Sequence, residues 1–159
     1  MSFAQDINEF TIEIERKNEM IVKQTVIKLF RDIIFESPVD TGRFRGNWFL
    51  TYQNPSRKRT RKTDRQGQRT VNVMADKVMK SKSIRSFILT NNLPYSQIIE
   101  FGGFPKMPKR GTWEKGRGYV KRSSGGYSKL APNGVVRVNM LRFKKLLEEE
   151  AKRQNYGNI

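Results

Sequence analysis

The stretch SPVDTGRFRGNW, Ser37 to Trp48, decides how this chain folds. Ser37-Pro38 is a helix stop, because the residue before proline avoids helical geometry and proline donates nothing to the ladder. The 36 residues upstream read as one long helix. Phe3, Ile7, Phe10 and Ile14 recur at three- and four-residue steps, and the stripe resumes at Ile21 or Val22, Val26, Leu29 or Phe30, and Ile33. Between them EIERKNEM is polar on most faces. Downstream, NWFLTYQ (Asn47 to Gln53) is aromatic and β-branched, which predicts a strand. The opening stretch is therefore a helix-to-strand corner. Pro38 sets its entry, Asp40 is expected to accept backbone N–H bonds from the next turn, and Gly42 allows close approach or an unusual backbone angle. An apolar stripe of this length is packing surface, with part of it available to another subunit.

Beyond the corner, residues 54–69 (NPSRKRTRKTDRQGQR) include no apolar residue. They carry seven Arg or Lys from Arg57 onward, against one acid, Asp64. This predicts a flexible basic loop, either a phosphate-contacting finger or a solvated loop. Thr70 to Lys80 reads as a strand end running into a short helical turn. Ser83 to Asn92 reads as a strand through Ile84, Phe87, Ile88 and Leu89. After Leu93-Pro94-Tyr95 comes a turn, and YSQIIEFGG predicts one or two helical turns closed by Gly102-Gly103. Residues 102–128 are rich in Gly, Pro, Lys and Arg and read as a second flexible basic loop, with a short hairpin about Gly116-Arg117-Gly118. Its Tyr and Trp residues suit either base stacking or attachment to a neighbouring subunit. In the last element Val136, Met140, Phe143, Leu147 and Ala151 follow helical spacing. Its start is either near Asn133 or at Asn139 acting as N-cap. The outline is one α+β domain over residues 1–159: a long N-terminal helix, a small antiparallel sheet, a short central helix and a C-terminal helix.

Composition narrows the chemistry. The chain lacks both cysteine and histidine. Disulfides, thiol nucleophiles, the commonest metal ligands and the Ser-His relay are therefore absent, and no cofactor or metal is expected. An apolar fraction of 36% supports a modest core with polar excursions outside it. No run approaches the roughly 20 apolar residues that span a bilayer, and the early acids of MSFAQDINEF argue against a signal peptide. The natural compartment is a cytoplasm or a particle assembled in one. The net charge of +17 favours polyanionic partners.

Asp40-Thr41-Gly42 also spells the catalytic tripeptide of aspartic proteases. Those enzymes need two such loops sharing a proton, hung from buried strands. Here there is one copy, preceded by a helix and ESPV and followed by Arg43-Phe44-Arg45. Two cations beside the aspartate oppose proton sharing, so the expectation is a non-enzyme.

Three segments together resemble a known family. PVDTGRFRGNW (Pro38 to Trp48), with Pro38, Asp40, Thr41, Gly42 and Trp48, resembles the helix-exit motif of bacteriophage neck and tail-completion proteins, the family that includes the lambda-type minor tail protein Z. LTNNLPYSQIIEFGGFP, with Asn91, Pro94, Tyr95, Glu100 and Gly102, resembles that family's central NNLPYA…EYG segment. GGYSKLAPNGVVRVNMLRF, with Ala131, Pro132 and Gly134, resembles its C-terminal QAPAGMVRVTVAEF signature. The three occur in the family's order and bracket most of residues 37–143. Leu130 stands where Gln is usual, Val135 replaces Met, and NMLRF replaces the capping-box form TVAEF, which weakens a helix start at Asn139.

The resemblance implies a structural virion protein of a long-tailed phage, assembled in the host bacterial cytoplasm and placed at the head–tail junction. It implies a homo-oligomeric, hexameric ring that finishes the tail and meets tail-terminator, tail-tube or connector proteins. Contact with DNA in the channel, or with a neighbouring protein, would fall to Arg57, Lys58, Arg59, Arg61, Lys62 and Arg65. The alternative is a stand-alone basic nucleic-acid-binding protein.

Overall fold

The computed structural model describes residues 3–82, 86–105 and 110–156, so the expected strand position Ile84 lies outside the described residues. The fold is α+β: the described residues form five helices and three small antiparallel two-stranded sheets. Helix α1 (Phe3–Glu36) is unbroken over 34 residues, about 51 Å at 1.5 Å per residue. It ends where Ser37-Pro38 demands. The Ser37 hydroxyl donates to Ile33 O at 2.7 Å, and the Arg45 guanidinium donates to Phe35 O and Ser37 O. These groups satisfy carbonyls that a helix end leaves without partners.

A 3-10 turn (Arg45–Asn47) leads into β1 (Trp48–Thr51), which pairs with β2 (Ile88–Asn91), Trp48 opposite Asn91. Between them lies α2 (Gln68–Lys80), a correction to the expected strand end. Val71, Met74 and Val78 are buried at helical spacing against α1. That burial and a cap outweigh the extended preference of the valines. The cap is Asp64: its carboxylate accepts from Gly67 N at 2.9 Å, Thr70 N at 2.8 Å and the Thr70 hydroxyl at 2.8 Å. The basic loop carries no helix or strand through Gly67, while Gln68 and Arg69 already belong to α2.

Helix α3 (Ser96–Phe101) is the short central helix, closed by Gly102 at φ 81°. Two hairpins follow: β3 (Thr112–Glu114) with β4 (Gly118–Val120), and β5 (Ser123–Ser124) with β6 (Tyr127–Ser128). The first is the turn expected about residues 116–118. The second is stitched to the exit of α3, because Gly103 N and Phe104 N both donate to Gly126 O.

The C-terminal element is two helices, α4 (Val136–Met140) and α5 (Phe143–Tyr156). Its expected apolar face is corrected in part: Val136 packs against the core and Leu147 and Ala151 are half-buried, but Met140 and Phe143 are exposed, and the buried positions among the described residues here are Val135, Asn139 and Glu150. Asn139 caps nothing; its amide donates to Glu36 Oε2 at 2.7 Å and Val135 O at 2.9 Å. The core has two clusters threaded by α1. One gathers Leu29, Ile33, Phe44, Leu93, Ile99, Ala131 and Val135; the other gathers Val26, Ile34, Leu50 and the α2 face. Phe30, Trp48 and Leu89 pack against both.

Candidate functional site

The three motif segments converge on the corner after α1. Gly42 has φ +84°, and a Cβ there would meet Arg65 N at 2.4 Å. Its carbonyl accepts from Gly46 N and Asp64 N, each at 3.0 Å. Glycine is therefore required both for the backbone angle and for the contact with the basic loop. Trp48 Nε1 donates to the Ser37 hydroxyl at 2.9 Å. Phe44 packs edge-on to Trp48 and tilted against Tyr95, with ring centroids 5.7 and 5.9 Å apart. The Asn91 amide donates to Phe44 O at 3.0 Å. Burial raises the Tyr95 hydroxyl above the usual tyrosine value. Pro94 is an exposed turn residue, Pro132 is exposed in an isolated bridge with Gly134, and Ala131 is buried in the core.

Glu100 joins the second and third motifs. Its carboxylate accepts from Val135 N at 2.8 Å and from Val136 N and Arg137 N at 2.9 Å, capping α4 from 35 residues away. Burial pushes this carboxyl up, but the three backbone donors and the Arg137 guanidinium outweigh burial and hold it below the ordinary value. Gly134 is needed here, since a Cβ would meet Glu100 O at 2.6 Å. Gly102 is packed as closely, with the Tyr127 ring 2.7 Å from where its Cβ would be.

Asp40 does not cap backbone, a correction to the expected role. Its carboxylate, more than half exposed, accepts two bonds from Arg122, at 2.9 and 3.0 Å. Arg122 also donates to Glu114 at 2.6 Å. Thr41 accepts from Arg43 N at 3.2 Å. The capping role falls to Asp64, where burial raises the carboxyl but the Thr70 and Gly67 donors prevail and lower it. The partner of Asp40 lies 82 residues away, beyond the reach of local sequence reading.

The basic loop is held by its backbone. The buried Asn47 amide donates to Thr60 O at 3.0 Å while its oxygen accepts from Thr60 N at 2.8 Å. Asn92 donates to Ser56 O and Lys58 O, and Arg45 to Arg65 O at 2.8 Å. Arg57, Lys58, Arg59, Arg61, Lys62 and Arg65 are all exposed, and none is ion-paired among the described residues. Arg45 and Asn47 hold this loop, and the sequence reading missed them. The only local signal was their place within the corner motif.

Three surface features lie outside this joint's hydrogen-bonded contacts. A groove of about 510 Å³ lies under the corner, walled by Pro38, Val39, Phe44, Tyr95, Ile99 and Leu130 and rimmed by Arg43, Lys121 and Lys129. At the far end of α1, residues 7–16 are exposed throughout, with Ile7 at 50%, Phe10 at 61% and Ile14 at 41%. Trp113 and Tyr119 form an exposed aromatic pair, 5.2 Å apart across β3 and β4. No group of three or more metal-ligating side chains exists among the described residues, and none of their helices is long and apolar enough to cross a membrane. Compared with protein-family models, curated proteins and solved structures, the chain matches none.

Proposed function

We propose that this chain is a non-enzymatic virion component of a long-tailed bacteriophage, a neck or tail-completion subunit that assembles into a ring at the head–tail junction. The observation that carries this reading is the outer part of α1. A domain with a modest core projects about 15 Å of helix, residues 7–16, whose apolar stripe its own fold leaves exposed. Such a surface suits burial against another subunit. The motif residues support the reading in a second way. Gly42, Asn91, Glu100 and Gly134 lock loops and a helix start together, as an assembly part requires, and Asp40 is engaged by Arg122.

One observation favours a second reading, nucleic-acid binding by the basic loop. Six cations stand exposed on a backbone fixed at several points, the arrangement of a phosphate-contacting finger. The two readings meet if the loop faces DNA in a channel. Replacing Arg57, Lys58, Arg59, Arg61 and Lys62 by Ser separates them. Under the ring reading, light scattering still finds the wild-type oligomer and the variant still enters particles. If the protein is instead a stand-alone nucleic-acid binder, the salt-dependent affinity for duplex DNA is its main activity and collapses. A wild type that stays monomeric at high concentration and is missing from virions refutes the ring.

A further inference from the structure

The exposed helix and the rimmed groove differ in charge as well as in shape. Residues 1–19 hold five acids and two bases, a net −3, while the remaining residues hold ten acids and 30 bases, a net +20. Helical geometry places Ile7, Phe10 and Ile14 on one stripe, with Glu15 flanking it on one side and Glu13, paired with Lys17 at 2.8 Å, on the other. The groove is the converse surface, an apolar trough bordered by Arg43, Lys121 and Lys129, none of them ion-paired among the described residues. Two further arginines line it and are already paired, Arg117 with Glu114 and Arg122 with Glu114 and with Asp40, which also lines the groove.

We infer that the acidic N-terminal arm of one copy docks into the basic-rimmed groove of the next copy, with Phe10 as the central anchor and Ile7 and Ile14 beside it. This is the helix-in-groove mode, read through anchors three to four residues apart. A copy cannot fill its own groove, because about 33 Å of unbroken helix separates Ile14 from Glu36, two residues before the groove begins at Pro38. The arm and the groove are different surfaces at opposite ends of α1. The contact is therefore head-to-tail, the type that closes into a ring when the rotation per copy permits and otherwise grows as a filament. The inference rests on the ring reading and deepens it by naming the surfaces that meet.

The test uses the full-length protein and its oligomer mass across a concentration series. Phe10→Asp is expected to weaken self-association tenfold or more, with helix content unchanged and, at dilutions where both proteins are monomeric, the same melting midpoint, because the side chain is exposed in the single copy. Two charge-reversed variants complete the set. The arm variant carries Glu13→Lys and Glu15→Lys; the groove variant carries Lys121→Glu and Lys129→Glu. Each alone is expected to stay monomeric, since like charges then face each other. Mixed, they regain self-association, because each reversed arm meets a complementary reversed groove. The protein has no cysteine of its own, so Ile14→Cys with Leu130→Cys is expected to give disulfide-linked multimers under oxidation. An oligomer that survives Phe10→Asp and forms from either reversed variant alone overturns the inference and leaves the ring reading standing. So does a Phe10→Asp variant that self-associates normally but no longer binds a purified tail protein. A wild type that is monomeric throughout overturns both.

Discussion

The two ends of α1 obey the same local rules and meet opposite fates. From Lys23 to Glu36 the helix is the spine of the molecule. Leu29, Ile33 and Ile34 are buried, Lys23 donates to carbonyls at the end of α2, those of Met79 and Ser81, and Lys28 pairs with the fully buried Glu150 at 2.6 Å. From Ile7 to Arg16 the same apolar spacing continues into solvent. The helix persists there on propensity, on the Glu13–Lys17 pair, and as an extension of the packed inner turns. Periodicity reports that a face is apolar. It does not report what covers that face.

Stability measurements can break or sharpen this contrast. The largest effect is expected at Ile33→Ala, which opens a cavity in the first cluster and costs about 2–5 kcal/mol. Ile12→Ala on the outer part should change stability in urea by less than about 0.5 kcal/mol. Equal losses at the two positions would end the distinction. Gly42→Ala comes next, at about 1–3 kcal/mol, because the corner that terminates the inner part cannot accommodate a Cβ at that backbone angle.

Glu150→Gln follows and tests the inner part through pH. Burial raises the Glu150 carboxyl, but Lys28, Arg153 and Gln154 outweigh that and lower it. Its contribution is thus present above the unfolded value of about 4.3, and is lost as pH falls through the lower folded value. Urea midpoints of wild type should drop on going from neutral pH to below that range, and Glu150→Gln should drop less. An identical acid slope in the two proteins would show that the pair is not what protonation removes. The smallest effect belongs to Asp40→Asn, an exposed pair with Arg122, for which no measurable change in midpoint is expected.

Features legible in the sequence are those with local causes. Helix α1, its stop at Ser37-Pro38, strand β1, the Gly102 closure of α3 and the bend at Gly42 all follow from residues within a few positions. Features set by distant partners escape such a reading. Helix α2 is obscured because its cap, Asp64, stands four residues before Gln68, and because its valines favour extension. The start of α4 depends on Glu100, and the role of Asp40 on Arg122, neither of them nearby in sequence. On α5 the buried position seven residues beyond the exposed Phe143 is Glu150, a carboxylate held by Lys28, so an ion pair takes a place on the face where an apolar stripe predicts a hydrophobic residue. The three motif segments are readable as words, but the contacts that join them are not.

Every grip that Gly42, Arg45, Asn47 and Asn92 hold on the basic loop closes on a backbone atom: Ser56 O, Lys58 O, both polar atoms of the Thr60 backbone, Asp64 N and Arg65 O. Apart from Thr60, whose hydroxyl accepts from Lys62 N, the identity of the cations in residues 57–62 is therefore uncoupled from their path. Length and backbone are tied to Asn47, Asn92 and Gly42, while the side chains can be rewritten from cationic to neutral, or to another recognition surface, on an unchanged scaffold. A deletion of one residue should be worse tolerated than replacing every cation, which makes this loop an interchangeable cartridge for whatever the corner is set to face.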